Sequence, residues 1–492
     1  MSARKDLGII FIVNFPLDEY NSLTDHEEVK QALTDLENGF FRYGQYIYSP
    51  KTSIYFITCF SGVDKDSESP NTHIPELVWD HENNRYKGMM PVYFGAVNLG
   101  NKDVMSSVLV YLQKRINAKK YVLFLFNHSS NFGFFVNQAD DTSGVLNERE
   151  QLLTNLVFHS SRSVSEESLF ALRKKQKRSN KHPVEIQQKL KKNIPQENAL
   201  DYKQDMLTNS EFYVALYRAF ELNNPDYDVN EKPIEVIFSA GCYFQNIDLA
   251  YTFRNFSNYL VGAEGVMPPQ SFDYPAIINS MLEQINNSSK IDYRGIIDYT
   301  LRNFGDAYGK WGVKKKDDLL IYCAISSINC LYIDDLANAL DKFVLYCFKN
   351  TETFNKIFLV RGPLLDLSNH YLQKTPPNLS IYDVANLFEN LSQQNKPTAL
   401  PVELIKIIEN IQLCISKVLD ITPFFGSEGA KSNYTGLSLY FPYSLEKALS
   451  TYNFTAFYSP VSRVESFFAK YSFWEEFLYF YFKLKDRGWK TE

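Results

Sequence analysis

Ile234-Glu235-Val236-Ile237-Phe238-Ser239-Ala240-Gly241-Cys242 is an apolar run of β type that stops at a small-residue turn and delivers a cysteine. Tyr243 to Phe256, which follows, predicts a helix, because Ile247, Ala250, Tyr251 and Arg254 recur at three- and four-residue spacing. A residue between a buried strand and a helix N-terminus stands where open α/β sheets bind ligands, and the helix dipole there would favour a thiolate. Earlier in the chain, Tyr121-Val122-Leu123-Phe124-Leu125-Phe126 is a second solid apolar run, and it ends at Asn127-His128-Ser129-Ser130. If the two runs are parallel neighbours, His128 and Cys242 emerge at the same edge of a sheet. A cysteine nucleophile and a histidine base drawn from distant sequence need that placement. Taken singly, each residue reads equally as core, since an isolated cysteine is commonly a small buried hydrophobe.

Outward from this pair, the pattern alternates strand and helix. Gly8 to Val13 reads as a first strand and Ser53 to Phe60 as a second, with Cys59 in its core face. Thr24-Asp25-His26-Glu27 has the form of a capping box opening a helix with Val29, Leu33, Leu36 and Phe40 on one face. Lys102 to Ile116 predicts another helix, apolar at Val104, Val108, Leu109 and Leu112. This alternation implies a mostly parallel sheet covered on both sides, with right-handed crossovers. His73 and His81 fall in a polar stretch read as a loop, with no third ligand nearby for a metal.

Composition narrows the function classes. The chain has 492 residues, more than one ordinary core needs, and its 45% hydrophobic content is that of a globular protein. Its 33 Tyr and 38 Phe are spread through every segment, which favours core filling over a base-stacking surface, and a net charge of -6 argues against nucleic-acid binding. Cys59, Cys242, Cys323, Cys330, Cys347 and Cys414 have neither zinc-site spacing nor disulfide density, so reduced thiols are expected. No run has the length of a membrane span. The first apolar run leads into Asn14, Pro16 and acidic residues instead of a cleavage site, so a cytoplasmic protein is expected, with another export route left open. Val145 to Asp205 departs from the rest: Arg173-Lys174-Lys175-Gln176-Lys177-Arg178 and Lys189-Leu190-Lys191-Lys192 make it a basic insertion in an acidic chain, expected to be exposed and mobile.

The His128 and Cys242 segments, the helix rich in Ala and Tyr after the cysteine, Tyr259-Leu260-Val261-Gly262-Ala263-Glu264 and Gly436-Leu437-Ser438-Leu439-Tyr440-Phe441-Pro442 together resemble the clostripain family of cysteine peptidases. That family shows N-H-G-S-G-like, D-A-C-like, Y-L-V-A-S-E-E and G-L-S-I-Y-F-P segments in the same order. The resemblance implies a caspase-haemoglobinase-like αβα sandwich over residues 1–275, with the insertion at about 145–205, and a largely helical region with a few strands, 276–492, packed on it.

It also implies acyl transfer through a thioester, with Cys242 as nucleophile, His128 as acid–base, and the backbone N–H groups of Cys242 and Ser129 as oxyanion donors. No cofactor is required, with calcium an option as in some relatives. The partners implied are a polypeptide substrate, no nucleic acid and no membrane, and a processing protease acting within 145–205. In relatives that cleave after arginine or lysine, acidic residues line the substrate pocket. Here the corresponding positions hold Ala240 and, by alignment, Gln270, so a neutral P1 residue is expected; a preference for arginine or lysine would instead point to Asp273 or Glu264 as the substitute acid. The competing reading is a catalytically silent homologue that binds peptides or a protein through the same cleft.

Overall fold

Strands buried on both faces are apolar along their whole length, and the first strand shows why. In the computed structural model, Ile10 and Ile12 of β1 (Lys5–Pro16) belong to one core while Leu7, Ile9, Phe11 and Val13 belong to a second on the other side. The structure describes residues 4–16, 41–61, 72–95, 99–127, 129–130, 133–138, 204–224, 228, 231–265, 267, 272–288, 290–312, 324–361, 381–393, 400–419, 421–425, 435–442 and 466–486.

Along the chain come β2 (Thr52–Ser61), β3 (Thr72–Asp80), β4 (Arg85–Gly95), α1 (Lys102–Ile116), β5 (Ala118–Phe126), β6 (Ser129–Ser130), β7 (Gly133–Gln138) and β8 (Gln204–Thr208). They are followed by α2 (Asn209–Tyr217), β9 (Ile234–Ser239), α3 (Ile247–Phe253), β10 (Ser257–Ala263), α4 (Tyr274–Asn287) and α5 (Tyr293–Gly312). The remainder is β11 (Ala324–Asn329), α6 (Ile333–Lys349), α7 (Glu352–Arg361), β12 (Ile381–Asp383), α8 (Val384–Gln393), α9 (Val402–Val418), β13 (Ile421–Phe425), β14 (Ser438–Tyr440), α10 (Phe467–Tyr471) and α11 (Trp474–Asp486).

Among the described residues, nine strands form one sheet in the order β13-β11-β10-β9-β5-β1-β2-β3-β4. Its centre, β10-β9-β5-β1-β2, is parallel, and antiparallel pairs extend it at both edges. Side chains of α1, α2, α3 and α6 fill the core on one face, and those of α4 and α5 the core on the other. This is the αβα sandwich expected.

A ladder of phenylalanines fixes the register of the central strands. Phe56, Phe11, Phe124 and Phe238 lie opposite one another on β2, β1, β5 and β9. Their rings stack in succession at 4.4, 4.6 and 4.9 Å. Tyr274 of α4 and Phe41 close edge-on or tilted against this ladder. Because a one-residue slip would turn every side chain to the opposite face, the stacked rings also fix where the strands end.

Three expectations need correction. The boundary at 275 cuts through a single sheet, since β11 and β13 are strands of it and α4 and α5 cover its face. The stretch carrying His73 and His81 is the β3–β4 hairpin, with Ile74 in one core and Leu77 and Tyr86 in the other. The helix after Cys242 begins only at Ile247, with Asn246 as its cap. The capping box at Thr24 and the insertion at 145–205, apart from β8 at its end, lie outside the described residues.

Candidate active site

Strands β5 and β9 are parallel neighbours, with Leu125 opposite Ser239. The N–H of Ala240 continues their pairing by donating to the Leu125 carbonyl at 2.8 Å. Beyond this point the chain turns. Gly241 N–H donates to Ser239 Oγ at 3.1 Å, and Tyr243 adopts a left-handed conformation with φ 54°. Left-handed backbone is disfavoured for a residue with a bulky side chain, so the surroundings must hold it. They do so through Tyr243 N–H, donating to Gly265 O at 2.7 Å, and Tyr243 O, accepting from Asn246 Nδ2 at 2.8 Å. The other end of the Asn246 amide accepts from Leu249 N–H at 2.8 Å, so one side chain closes the turn and starts α3.

Cys242 is partly exposed on this turn, on the same side of the sheet as Met267 and Phe272. Its Sγ accepts from Met267 N–H at 3.4 Å. Burial pushes the thiol pKa up, and the Met267 donor offsets this only in part. The dipole argument made from the sequence finds no support: the helix α3 starts only at Ile247, and burial shifts the thiol in the opposite direction.

The turn after β5 lies directly against the turn after β9. Ser129 Oγ donates to the Cys242 carbonyl at 2.7 Å. A Cβ on Gly241 would lie 1.9 Å from Ser129 Oγ and 2.8 Å from Ser129 Cβ, so that approach requires glycine at 241. Asn127, on the other side of position 128, is buried. His128 itself lies outside the described residues, as does Gln270.

The remaining pocket candidates separate. Ala240 lines the Cys242 side of the sheet. Asp273 is exposed, and its Oδ1 caps α4 by accepting from Ala276 N–H at 3.2 Å. Glu264, expected as a pocket acid, is wholly buried, and its Oε2 accepts from Gly436 N–H at 2.8 Å. It faces the interior, not a substrate. Sequence reasoning missed the side-chain role of Ser129 and the contribution of Met267. The available signal was the pairing of a serine after His128 with a glycine before Cys242.

Among the described residues, no group of three or more His, Cys, Asp or Glu side chains gathers as metal ligands, so none indicates where calcium would be held. No described helix is long and apolar enough to cross a membrane. Among the described residues, Cys59, Cys330, Cys347 and Cys414 are buried and outside any disulfide, and burial raises the thiols of Cys330, Cys347 and Cys414.

A partly exposed thiol on the turn after one central parallel strand, against the turn after its neighbour, is the arrangement of a cysteine hydrolase of caspase type. The chain belongs to the clostripain family, whose model matches residues 179–479, and as a member it is a cysteine endopeptidase acting on polypeptides. The matched region contains Cys242 and begins after His128. Two solved structures share the fold. An inactive zymogen C11 protease from Parabacteroides distasonis has 13% identity and a TM-score of 0.50, over 90% of this chain and 93% of that one. A secreted C11 cysteine protease from Bacteroides thetaiotaomicron, in complex with an irreversible peptide inhibitor, has 12% identity and a TM-score of 0.51, over 92% and 96%. No curated protein sequence matches.

Proposed function

We propose that Cys242 and His128 form the catalytic dyad of an endopeptidase that favours a neutral P1 residue. The observation that carries this is the Ser129–Cys242 hydrogen bond, which joins the turn following β5, the one that includes position 128, to the turn that presents the thiol. Cys242 Sγ attacks the scissile carbonyl and its proton passes to His128. An S–C bond forms and the carbonyl oxygen gains charge, which the N–H groups of Cys242 and Ser129 would hold. His128 then protonates the leaving amine as the C–N bond breaks, and water activated by the same histidine hydrolyses the thioester. Cleavage by another protease within the basic 145–205 segment belongs to the same reading, as the step that would open the site.

The test is labelling by a cysteine-directed peptide electrophile, on the intact chain and on chain cut within 145–205. Label should fall on Cys242 and be lost in Cys242→Ala and His128→Ala, while the buried cysteines stay unmodified. A well-folded wild type that takes no label in either form would establish the silent-homologue reading instead.

The neutral P1 preference rests on the absence of a free acid among the described candidates. Ala240 has no charge, Glu264 faces the interior, and Asp273 caps a helix. Met267, Phe272 and Phe126 supply apolar surface on that side of the sheet. An arginine buried without a counter-charge forfeits a charged hydrogen bond, so basic P1 residues should be cleaved about ten- to a thousand-fold less well than neutral ones. A P1-varied peptide library measures this directly, and a preference for arginine or lysine would sink it.

A further inference from the structure

Glu264 directly follows β10 and is wholly buried. Its carboxyl group meets that of Asp383, the last residue of β12, within hydrogen-bonding reach. Asp383 is already surrounded by donors: Asn386 N–H at 2.8 Å, the Thr435 hydroxyl at 2.8 and 2.9 Å from its two oxygens, and the Thr435 N–H. It can only accept. Glu264 Oε2 also accepts, from Gly436 N–H, whereas Oε1 has no donor directed at it. Two ionised carboxylates in this position would repel each other in a dry interior. A bound cation fits poorly, because the three N–H groups around the pair can only donate and the Thr435 hydroxyl alone adds lone pairs. A proton on Glu264 Oε1 resolves both problems, since it removes one charge and makes Oε1 the donor to Asp383.

The location gives this proton a role. Residues 264–267 run from the end of β10 to the thiol: Gly265 O accepts from Tyr243 N–H, and Met267 N–H donates to Cys242 Sγ. Asp383 and Gly436 flank the paired strands β12 and β14, and Gly436 O accepts from Ser326 Oγ of β11 at 2.6 Å. We propose that one proton shared by Glu264 and Asp383 fastens the β12–β14 ribbon to the loop 264–267, and that Glu264 is thereby a positioning residue for Cys242. The groups facing the pair are Asn386 N–H from α8, the Thr435 hydroxyl and N–H, and Gly436 N–H. Each carboxyl is the charged group acting on the other.

Burial raises both carboxyls above their ordinary values, and mutual repulsion adds to the effect on Glu264. A raised carboxyl binds its proton more tightly in the folded chain than in the unfolded one. The stabilisation is therefore complete below the ordinary carboxylate range and is lost as pH rises through the raised value. The fastening should loosen on the alkaline side.

The experiment compares the full-length wild type with Glu264→Gln and Asp383→Asn. Glutamine keeps both an acceptor for Gly436 and a permanent N–H donor for Asp383. Asparagine at 383 would direct an N–H2 at donors. Two readouts are followed from mildly acidic to alkaline pH: the thermal unfolding midpoint, and the rate at which iodoacetamide modifies Cys242. The second uses the thiol alone, so it stands whether or not Cys242 is catalytic. The wild-type midpoint should fall towards alkaline pH, while Glu264→Gln stays folded with a flatter profile. The ratio of wild-type to Glu264→Gln alkylation rate should depart from its acidic value over the same interval. Asp383→Asn should have a lower midpoint at every pH or fail to fold. Parallel wild-type and Glu264→Gln profiles, or a Glu264→Gln chain damaged as much as Asp383→Asn, would overturn the proposal.

Discussion

With His128 replaced by alanine, peptide hydrolysis at neutral pH should fall by about 10²- to 10⁴-fold, the usual contribution of a positioned general base. What remains should rise as the pH is raised. The sign follows from the thiol, whose pKa is pushed up by burial, so the thiolate is a small fraction at neutral pH. Without a base to take the proton, the rate tracks that fraction, which grows roughly tenfold per pH unit until the raised value is reached. The wild type, with its base in place, should not follow this climb. Cys242→Ala should be inactive at every pH, because no nucleophile remains. Repeating the series in the Glu264→Gln background separates the climb from alkaline loosening of the β12–β14 ribbon. Initial rates on a neutral-P1 peptide decide the matter: a pH-independent residual rate in His128→Ala, or turnover by Cys242→Ala, would exclude the dyad.

The features legible in the sequence are those set by local pattern. Tyr121 to Phe126 of β5 is apolar throughout and β9 is apolar but for Glu235 and Ser239, because both faces are buried where the two strands are neighbours in the parallel centre of the sheet. The α1 helix was readable over its full length, because its caps and apolar stripe are both local. Features created by long-range contact were not readable. Tyr243 to Asn246 read as the start of a helix because the helical spacing of Ile247, Ala250, Tyr251 and Arg254 follows without a break. Their hydrogen bonds instead go to Gly265, Ala263 and Ser438, and the chain cannot enter α3 until Ile247. Glu264 misled for a related reason. A carboxylate near a strand end is a reasonable pocket acid, and only the partners at 383 and 436 reveal that it points inward. The unity of the sheet was hidden similarly, since β11 and β13 join it antiparallel after long excursions.

Gly241→Ala should lower kcat/KM by about a hundredfold, the effect expected when a reacting group is displaced by roughly 1 Å. No left-handed conformation is required at 241, so the cost comes from space alone. The new Cβ would lie 1.9 Å from Ser129 Oγ and 2.8 Å from Ser129 Cβ. Rotating the hydroxyl away breaks its bond to the Cys242 carbonyl and still leaves the Cβ pair too close. The Cys242 turn must therefore move. In the family pattern the residue after the histidine is glycine and the residue before the cysteine is alanine, whereas this chain has Ser129 and Gly241. Ser129→Gly alone removes the hydroxyl–carbonyl bond without introducing a clash, and should cost about tenfold. The two changes together should not multiply: Ser129→Gly combined with Gly241→Ala should return to the level of Ser129→Gly, recovering about tenfold over Gly241→Ala, because neighbouring sites that share one space are not additive. Steady-state kinetics on all four proteins, with thermal midpoints to confirm folding, test this coupling. A double variant no better than Gly241→Ala would mean that the two turns do not constrain each other and that Ser129 does not position the thiol.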